Sequence, residues 1–267
     1  MLRLNNKPIE IGKFPDGTLL IKEDIQKDFI CTRSAIITWF FENNEELVAL
    51  IYITKHLQSN GIEKIYLDMP YIPNARQDRV KNNEDIFTMK YFADVINWLG
   101  FTSVTVLDPH SSVSEALINN IVIKTPKENI SRVISKIGSE KLIMFYPDEG
   151  AMKRYSAIID KPYAFGIKKR DWSTGKINGL DIAGAVELIP NNRVLIVDDI
   201  CSKGGTFYYS ALKLKELGAK EIYLYISHCE NTILQGKVLT SGLIEKVFTT
   251  NSLFTGQHEK IEVFYNE

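Results

Sequence analysis

Along this chain one pattern of apolar and polar positions recurs three times: a helix-like segment, a glycine, a short spacer and a β-rich run. It covers residues 47–59, Gly61 and 64–69, then 88–99, Gly100 and 103–107, then 207–217, Gly218 and 221–227. Glycine after the last helical turn accepts the left-handed cap conformation, and the chain then enters a strand. Repeated helix–strand alternation predicts parallel sheets with right-handed crossovers. Apolar runs at 142–146 and 193–197 add two strands, and 125–140 reads as a helix or a linker between two such units. The expected organisation is α/β with mainly parallel sheets in two domains, residues 1–133 and 134–267. Residues 168–179, rich in charge and glycine, read as a mobile loop or a short hairpin turning at Thr174-Gly175.

Polar residues gather where these strands should end. The run 193–197 leads into Asp198-Asp199, then through Ile200-Cys201-Ser202-Lys203-Gly204-Gly205-Thr206 into the third helix. Glycines at a helix N-terminus leave backbone N–H groups uncovered, and these donors together with the helix dipole favour a phosphate. The two aspartates supply acceptors for vicinal hydroxyls or for a metal. A ribose carrying a phosphate asks for both halves; a plain strand-to-helix turn with solvated acids is the alternative. No Gly-x-x-x-x-Gly-Lys-Ser/Thr loop and no Gly-x-Gly-x-x-Gly fingerprint occurs in the chain.

The strand at 64–69 runs into Pro70-Tyr71-Ile72-Pro73-Asn74-Ala75-Arg76-Gln77-Asp78-Arg79. Its arginines suit bidentate phosphate binding, although a solvated turn would look the same, and Asp78 could simply pair with Arg79. The strand at 103–107 ends in Asp108-Pro109-His110-Ser111, whose histidine could bind a metal or donate to phosphate. The strand at 142–146 ends in Pro147-Asp148-Glu149-Gly150, and Lys168-Lys169-Arg170 opens the charged loop. Alone, that basic triplet reads as a solvated face and Glu149 as a solvated neighbour. Together the clusters form the residue set of a magnesium–polyphosphate reaction.

Composition narrows the class without choosing within it. The 267 residues are 45% hydrophobic and 24% charged, ordinary for a globular protein large enough for one big or two modest cores. A net charge of −1 gives no general attraction to nucleic acid, so no nucleic-acid partner is expected. Three cysteines, Cys31, Cys201 and Cys229, form no Cys-x-x-Cys pair, so neither a disulfide framework nor a zinc site is expected. Cys201 reads as packing beneath its loop, and His56, His228 and His258 have no evident catalytic partners. No leader-like or spanning apolar stretch is found, which makes a cytoplasmic protein without membrane association the expectation.

The segment from Pro70 to Arg79 closely resembles the signature of ribose-phosphate pyrophosphokinases (phosphoribosyl pyrophosphate synthetases). The resemblance continues, in the family's order, through Gly12-Lys13-Phe14-Pro15-Asp16-Gly17, Asp108-Pro109-His110, Pro147-Asp148-Glu149-Gly150, Lys168-Lys169-Arg170 and the segment 197–206. It implies two phosphoribosyltransferase-type (type I) domains related by pseudo-two-fold symmetry, and transfer of a diphosphoryl group from Mg-ATP to the anomeric hydroxyl of ribose 5-phosphate. Carried over by motif, Arg76, Gln77 and Asp78 lie around ATP, and Phe14 and Asp16 reach the ATP site of a neighbouring subunit, so a homo-oligomer is implied. His110 and Asp148 position magnesium, with His110, Lys168 and Arg170 acting in catalysis. Asp198 and Asp199 hold the ribose hydroxyls, while Ser202, Lys203, Gly204, Gly205 and Thr206 cradle the 5′-phosphate. A phosphoribosyltransferase would share the Asp-Asp loop but not the ATP-side segment or His110. A regulatory, non-catalytic relative would not need Lys168, Arg170, His110 and Asp148.

Four departures bear on this resemblance. Ser202-Lys203 stands where members usually carry Asp-Thr, removing an acid and adding a cation where the sugar's 5′-substituent should bind. A larger acceptor with a 5′-diphosphate, such as ADP-ribose in NAD salvage, would use that cation. Thr18 replaces the usual glutamate and is expected to loosen the inter-subunit ATP contact. Pro109 replaces leucine, and His110 is expected to keep its function. The chain also enters Gly12–Gly17 almost at once and stops soon after residues 261–265, so the resemblance leaves open whether the homo-oligomer is a dimer or a hexamer and whether nucleotides regulate it.

Overall fold

The computed structural model describes residues 1–22, 33–170 and 177–265, with side-chain environments undescribed over 168–180. Two compact units emerge, Met1–Thr125 and Pro126–Glu267. The division falls ahead of the expected 133/134 boundary because the helix Lys127–Ile137 belongs wholly to the second unit. Its Ile130 and Val133 are buried in that unit's core, beside Leu142, Met144, Leu195 and Val197.

In the first unit, strands β1 (Leu2–Leu4), β2 (Lys7–Pro8), β5 (Ser34–Trp39), β6 (Lys64–Asp68), β7 (Ser103–Leu107) and β8 (Ile121–Lys124) form one sheet in the order β2-β1-β5-β6-β7-β8. β5 to β8 are parallel, and the β1–β2 hairpin adds antiparallel to β5. Between β2 and β5, strands β3 (Ile11–Lys13) and β4 (Leu19–Ile21) make a separate hairpin. The helix Thr88–Leu99 buries Met89, Phe92, Ala93, Ile96 and Leu99, the three-and-four spacing of a single apolar face. Gly61, Gly100 and Gly218 all take positive φ, as the recurring helix–glycine–strand pattern predicts.

The second unit holds β9 (Leu142–Tyr146), β10 (Tyr163–Arg170), β11 (Ile177–Gly184), β12 (Arg193–Cys201), β13 (Glu221–Cys229), β14 (Lys246–Thr250) and β15 (Ile261–Phe264), in the order β11-β10-β9-β12-β13-β14-β15. Only β11 runs antiparallel to its neighbour. The two faces of β12 carry separate cores. Val194 and Ile196 pack with Phe207, Ala211 and Leu214 of the helix Gly205–Glu216. Leu195 and Val197 pack with Ala151 and Tyr155 of the helix Glu149–Tyr155. A central parallel strand buried on both sides reads as a continuous apolar run, which is why 193–197 was legible.

Two expectations change here. β12 does not stop at Val197: pairing with β9 ends at Ile196, but pairing with β13 continues to Cys201–Cys229. The aspartates thus stand on a strand that projects past one neighbour while held by the other. The Lys168-Lys169-Arg170 backbone is not loop but the end of β10, paired with Leu180, Gly179 and Ile177 of β11. That outcome is the hairpin alternative; its turn at Thr174-Gly175 lies outside the described residues, as does Cys31.

Candidate functional site

In the first unit, β6 and β7 end side by side. Met69 N–H donates to the Thr105 carbonyl at 2.8 Å, and Leu107 N–H to Pro70 at 3.0 Å. This pairing brings the loops beginning at Pro70 and Asp108 together. Asp78 is 5% exposed and accepts a two-pronged bond from Arg79, Nε at 2.8 Å and Nη2 at 3.0 Å. That fork first, then a Ser111 hydrogen bond and the pull of Arg79 and His110, holds the Asp78 carboxyl below the usual range against the opposing effect of burial. Gln77 is engaged as well: its Oε1 accepts from Thr88 Oγ1 at 2.9 Å and its carbonyl from Met89 N–H at 3.2 Å. Both Gln77 bonds fasten the loop to the start of the helix Thr88–Leu99. Arg76 is exposed, and His110 is half-buried. Asp108, before Pro109, has a φ of +41° and is 2% exposed, a conformation few L-residues adopt outside special sites.

Phe14 and Asp16 lie in the turn between β3 and β4, the Phe14 ring 49% exposed. Thr18 organises this turn. Its hydroxyl and N–H donate to Asp16 Oδ1 at 2.7 and 3.0 Å, and these bonds keep the Asp16 carboxyl below its usual range.

In the second unit the acids converge at the ends of β9 and β12. Asp148 caps the helix Glu149–Tyr155, its Oδ1 accepting from Ala151 N–H at 3.1 Å. Asp198 is pushed well above the usual carboxylate range, by burial first, then by Asp199 and Asp148. Asp199, 5% exposed, lies 3.1 Å from Arg154 Nη1. Hard carboxylate oxygens crowded enough to resist ionisation fit a divalent cation such as magnesium, which is commonly held by one or two carboxylates plus substrate phosphates. Among the described residues, no three His, Cys, Asp or Glu side chains are grouped to enclose a metal by themselves.

Next to the acids, Gly204 takes φ +75° as the N-cap of the helix Gly205–Glu216 and offers no side-chain cap to the first N–H groups. A Cβ on Gly205 would meet nothing within 4 Å, whereas one on Gly204 would come within 2.9 Å of Val238 Cγ1. Cys201 is buried beneath the turn, its thiol donating to the Ser202 carbonyl at 3.2 Å. Lys203 and Thr206 are exposed and Ser202 is half-buried. Backbone donors at a helix start, open space above and a cation beside them can bind an anion.

The sequence did not reveal Arg154, Gly236 or Lys237. A Cβ on Gly236 would fall 2.0 Å from the Lys203 carbonyl oxygen, so this glycine is where a distant segment presses against the loop. Lys237 Nζ lies 5.8 Å from the Tyr208 ring centroid. His228, buried on β13, bonds Ser252 through Nδ1 at 2.8 Å. Among the described residues, no helix is long and apolar enough to cross a membrane.

No protein-family model matches the chain. A ribose-phosphate pyrophosphokinase of Thermococcus kodakarensis is 28% identical over 246 residues, covering 90% of this chain and 81% of that protein. One from Bacillus caldolyticus is 26% identical over 275 residues, covering 95% and 82%. The crystal structure of phosphoribosylpyrophosphate synthetase from Mycobacterium smegmatis superposes with a TM-score of 0.78 at 17% identity, over 97% of this chain and 86% of that one. The fold of two phosphoribosyltransferase-type sheets is thereby shared.

Proposed function

We propose that the chain is a divergent ribose-phosphate pyrophosphokinase, supported by its likeness over most of its length to the Thermococcus kodakarensis and Bacillus caldolyticus proteins, and that it is a diphosphotransferase acting on the anomeric hydroxyl of a ribose 5-phosphate moiety. The observation that carries the acceptor half is the end of β12: two aspartates with opposed environments, followed by a helix start without a side-chain cap and with open space over Gly205. In the reaction the sugar's anomeric oxygen attacks the β-phosphorus of ATP, the bond from β-phosphorus to the α,β-bridging oxygen breaks, AMP leaves and the hydroxyl proton is released.

Asp198 and Asp199 accept from the ribose hydroxyls and fix the sugar's orientation. Ser202, Lys203, Gly204, Gly205 and Thr206 hold the 5′-phosphate with backbone donors and one cation. Arg76 binds ATP phosphates, and Gln77 and Asp78 keep its loop in shape. Phe14 and Asp16 serve the ATP site of a neighbouring copy in a homo-oligomer. Asp148 in the second unit and His110 in the first are each candidate magnesium ligands, and magnesium when bound would neutralise charge on the phosphate oxygens. Lys168 and Arg170 stabilise the charge that spreads over the transferring group.

A second acceptor, ADP-ribose, is favoured by one feature: Lys203 is exposed on the loop, and Lys237 over Tyr208 follows Gly236, which abuts the Lys203 carbonyl. Two cations and a ring suit a 5′-diphosphate with a base beyond it. The test is incubation with Mg-ATP and each acceptor separately, following AMP and the pyrophosphorylated sugar. Acceptor-dependent AMP is expected, and its absence with both acceptors refutes the proposal. Lys203→Thr is expected to shift the ratio of kcat/KM values toward ribose 5-phosphate; an unchanged ratio rejects the role of Lys203.

A further inference from the structure

We infer that Arg154 is the positioning residue of the acceptor site, clamping Asp199 so that the aspartate pair meets the ribose hydroxyls in one fixed arrangement. This rests on the proposed acceptor site, but on an observation independent of its motifs. Asp199 lies on the face of β12 that carries Leu195 and Val197, and the helix Glu149–Tyr155 packs on that face. From there Arg154 Nη1 reaches Asp199 Oδ2 at 3.1 Å, as an ion pair rather than an aligned hydrogen bond. The guanidinium carbon is 5.6 Å from the Tyr155 ring centroid, and the Tyr155 side chain is itself fully buried. Arg154 is thus fixed from both sides.

The clamp has consequences because Asp199 stands among other acids that compete for its surroundings. Asp148 spends an oxygen on the helix cap, and Asp198 uses Oδ1 to accept the Asp199 N–H at 3.0 Å. Carboxylates crowded together repel unless a cation holds one of them in place. The side chains of Arg154 and Asp199 are 29% and 7% exposed, so water screens this contact less than it would a surface pair. The planar fork reads a carboxylate's direction as well as its charge, which a lysine does only in part.

Arg154→Gln and Arg154→Lys are to be compared with wild type for the KM of the preferred acceptor, the KM of ATP, kcat and the melting temperature. The Gln variant is expected to raise acceptor KM about tenfold or more while ATP KM stays within about twofold, and Lys to recover part of the loss. An acceptor KM within about twofold of wild type in the folded Gln variant overturns the assignment. So does an equal rise in both KM values, or failure of both variants to fold, since either marks Arg154 as structural. A wild type that neither binds ribose 5-phosphate or ADP-ribose by calorimetry nor releases AMP refutes the acceptor site itself. Loss confined to the variants refutes nothing but an unassisted Asp199.

Discussion

Gly236 offers the sharpest test of how the proposed phosphate loop is built. Its backbone, at φ −89° and ψ 149°, is one that any residue adopts, so alanine there meets no conformational strain. The constraint is space: a Cβ would lie 2.0 Å from the Lys203 carbonyl oxygen and 2.9 Å from its carbon, where real Cβ contacts essentially never fall under 3.0 Å. The Lys203 peptide must therefore retreat by about 1 Å, a displacement that can cost on the order of 100-fold when it reaches a reacting group. It cannot swing freely, because the adjoining Gly204 already sits against Val238. Overpacking of this kind costs about 1–3 kcal/mol, offset by about 0.4–1 kcal/mol from the stiffer unfolded chain. The net, about 1 kcal/mol, corresponds to a melting temperature lower by roughly 2–4 °C for a chain of this size. Gly205→Ala is the control, since its Cβ meets no atom within 4 Å. Stability should hold or rise slightly, while the methyl occupies the space proposed for the 5′-phosphate. Acceptor KM should therefore rise in both variants, measured by AMP release at saturating ATP, with melting lowered only for Gly236→Ala. A wild-type acceptor KM in Gly236→Ala would refute the claim that the Lys203 peptide belongs to the acceptor site.

Two further outcomes follow from the carboxylates. Asp198 is pushed upward by burial and by Asp199 and Asp148, so as pH rises above the ordinary carboxylate value of about 3.9 its ionisation costs stability. Asp198→Asn should then melt higher than wild type near neutral pH without divalent ions, while losing acceptor-dependent AMP release by about 100-fold or more; a lower melting temperature would contradict the crowding argument. Asp78 is held below its usual range by Arg79, so its contribution is present above about pH 4 and lost as pH falls through its depressed value. Denaturant titration of Asp78→Asn should show about 1 kcal/mol lost at neutral pH, discounted for the exposure of Arg79, with the gap to wild type closing in acid; a gap independent of pH would refute it.

What the sequence exposed, and what it hid, divides along a physical line. Helix–glycine–strand repeats are local signals, and Gly61, Gly100 and Gly218 each take the positive φ that such junctions require. The strand-end clusters were legible for a related reason, since parallel strands deliver consecutive residues to one rim. The extent of β12 was not, because Ile200 and Cys201 join the strand through His228 and Cys229, residues that no local pattern links to them. Short elements such as β1, β14 and the helix Glu149–Tyr155 likewise depend on neighbours rather than on periodicity.

The same line runs through the candidate site. Asp198, Asp199 and the glycines that follow are contiguous, so their chemistry can be read in order. Arg154 and Gly236 matter only because the fold returns them to that segment, one as a cation against Asp199 and the other as a missing side chain against Lys203. A solvated turn with two acids would need neither. Burial of Asp199 beneath an arginine, and a close backbone approach that only glycine permits, constrain this rim beyond what a turn requires. Constraint at a strand end that carries crowded charge opposes stability, and the fold retains it where orientation of a ligand repays the loss.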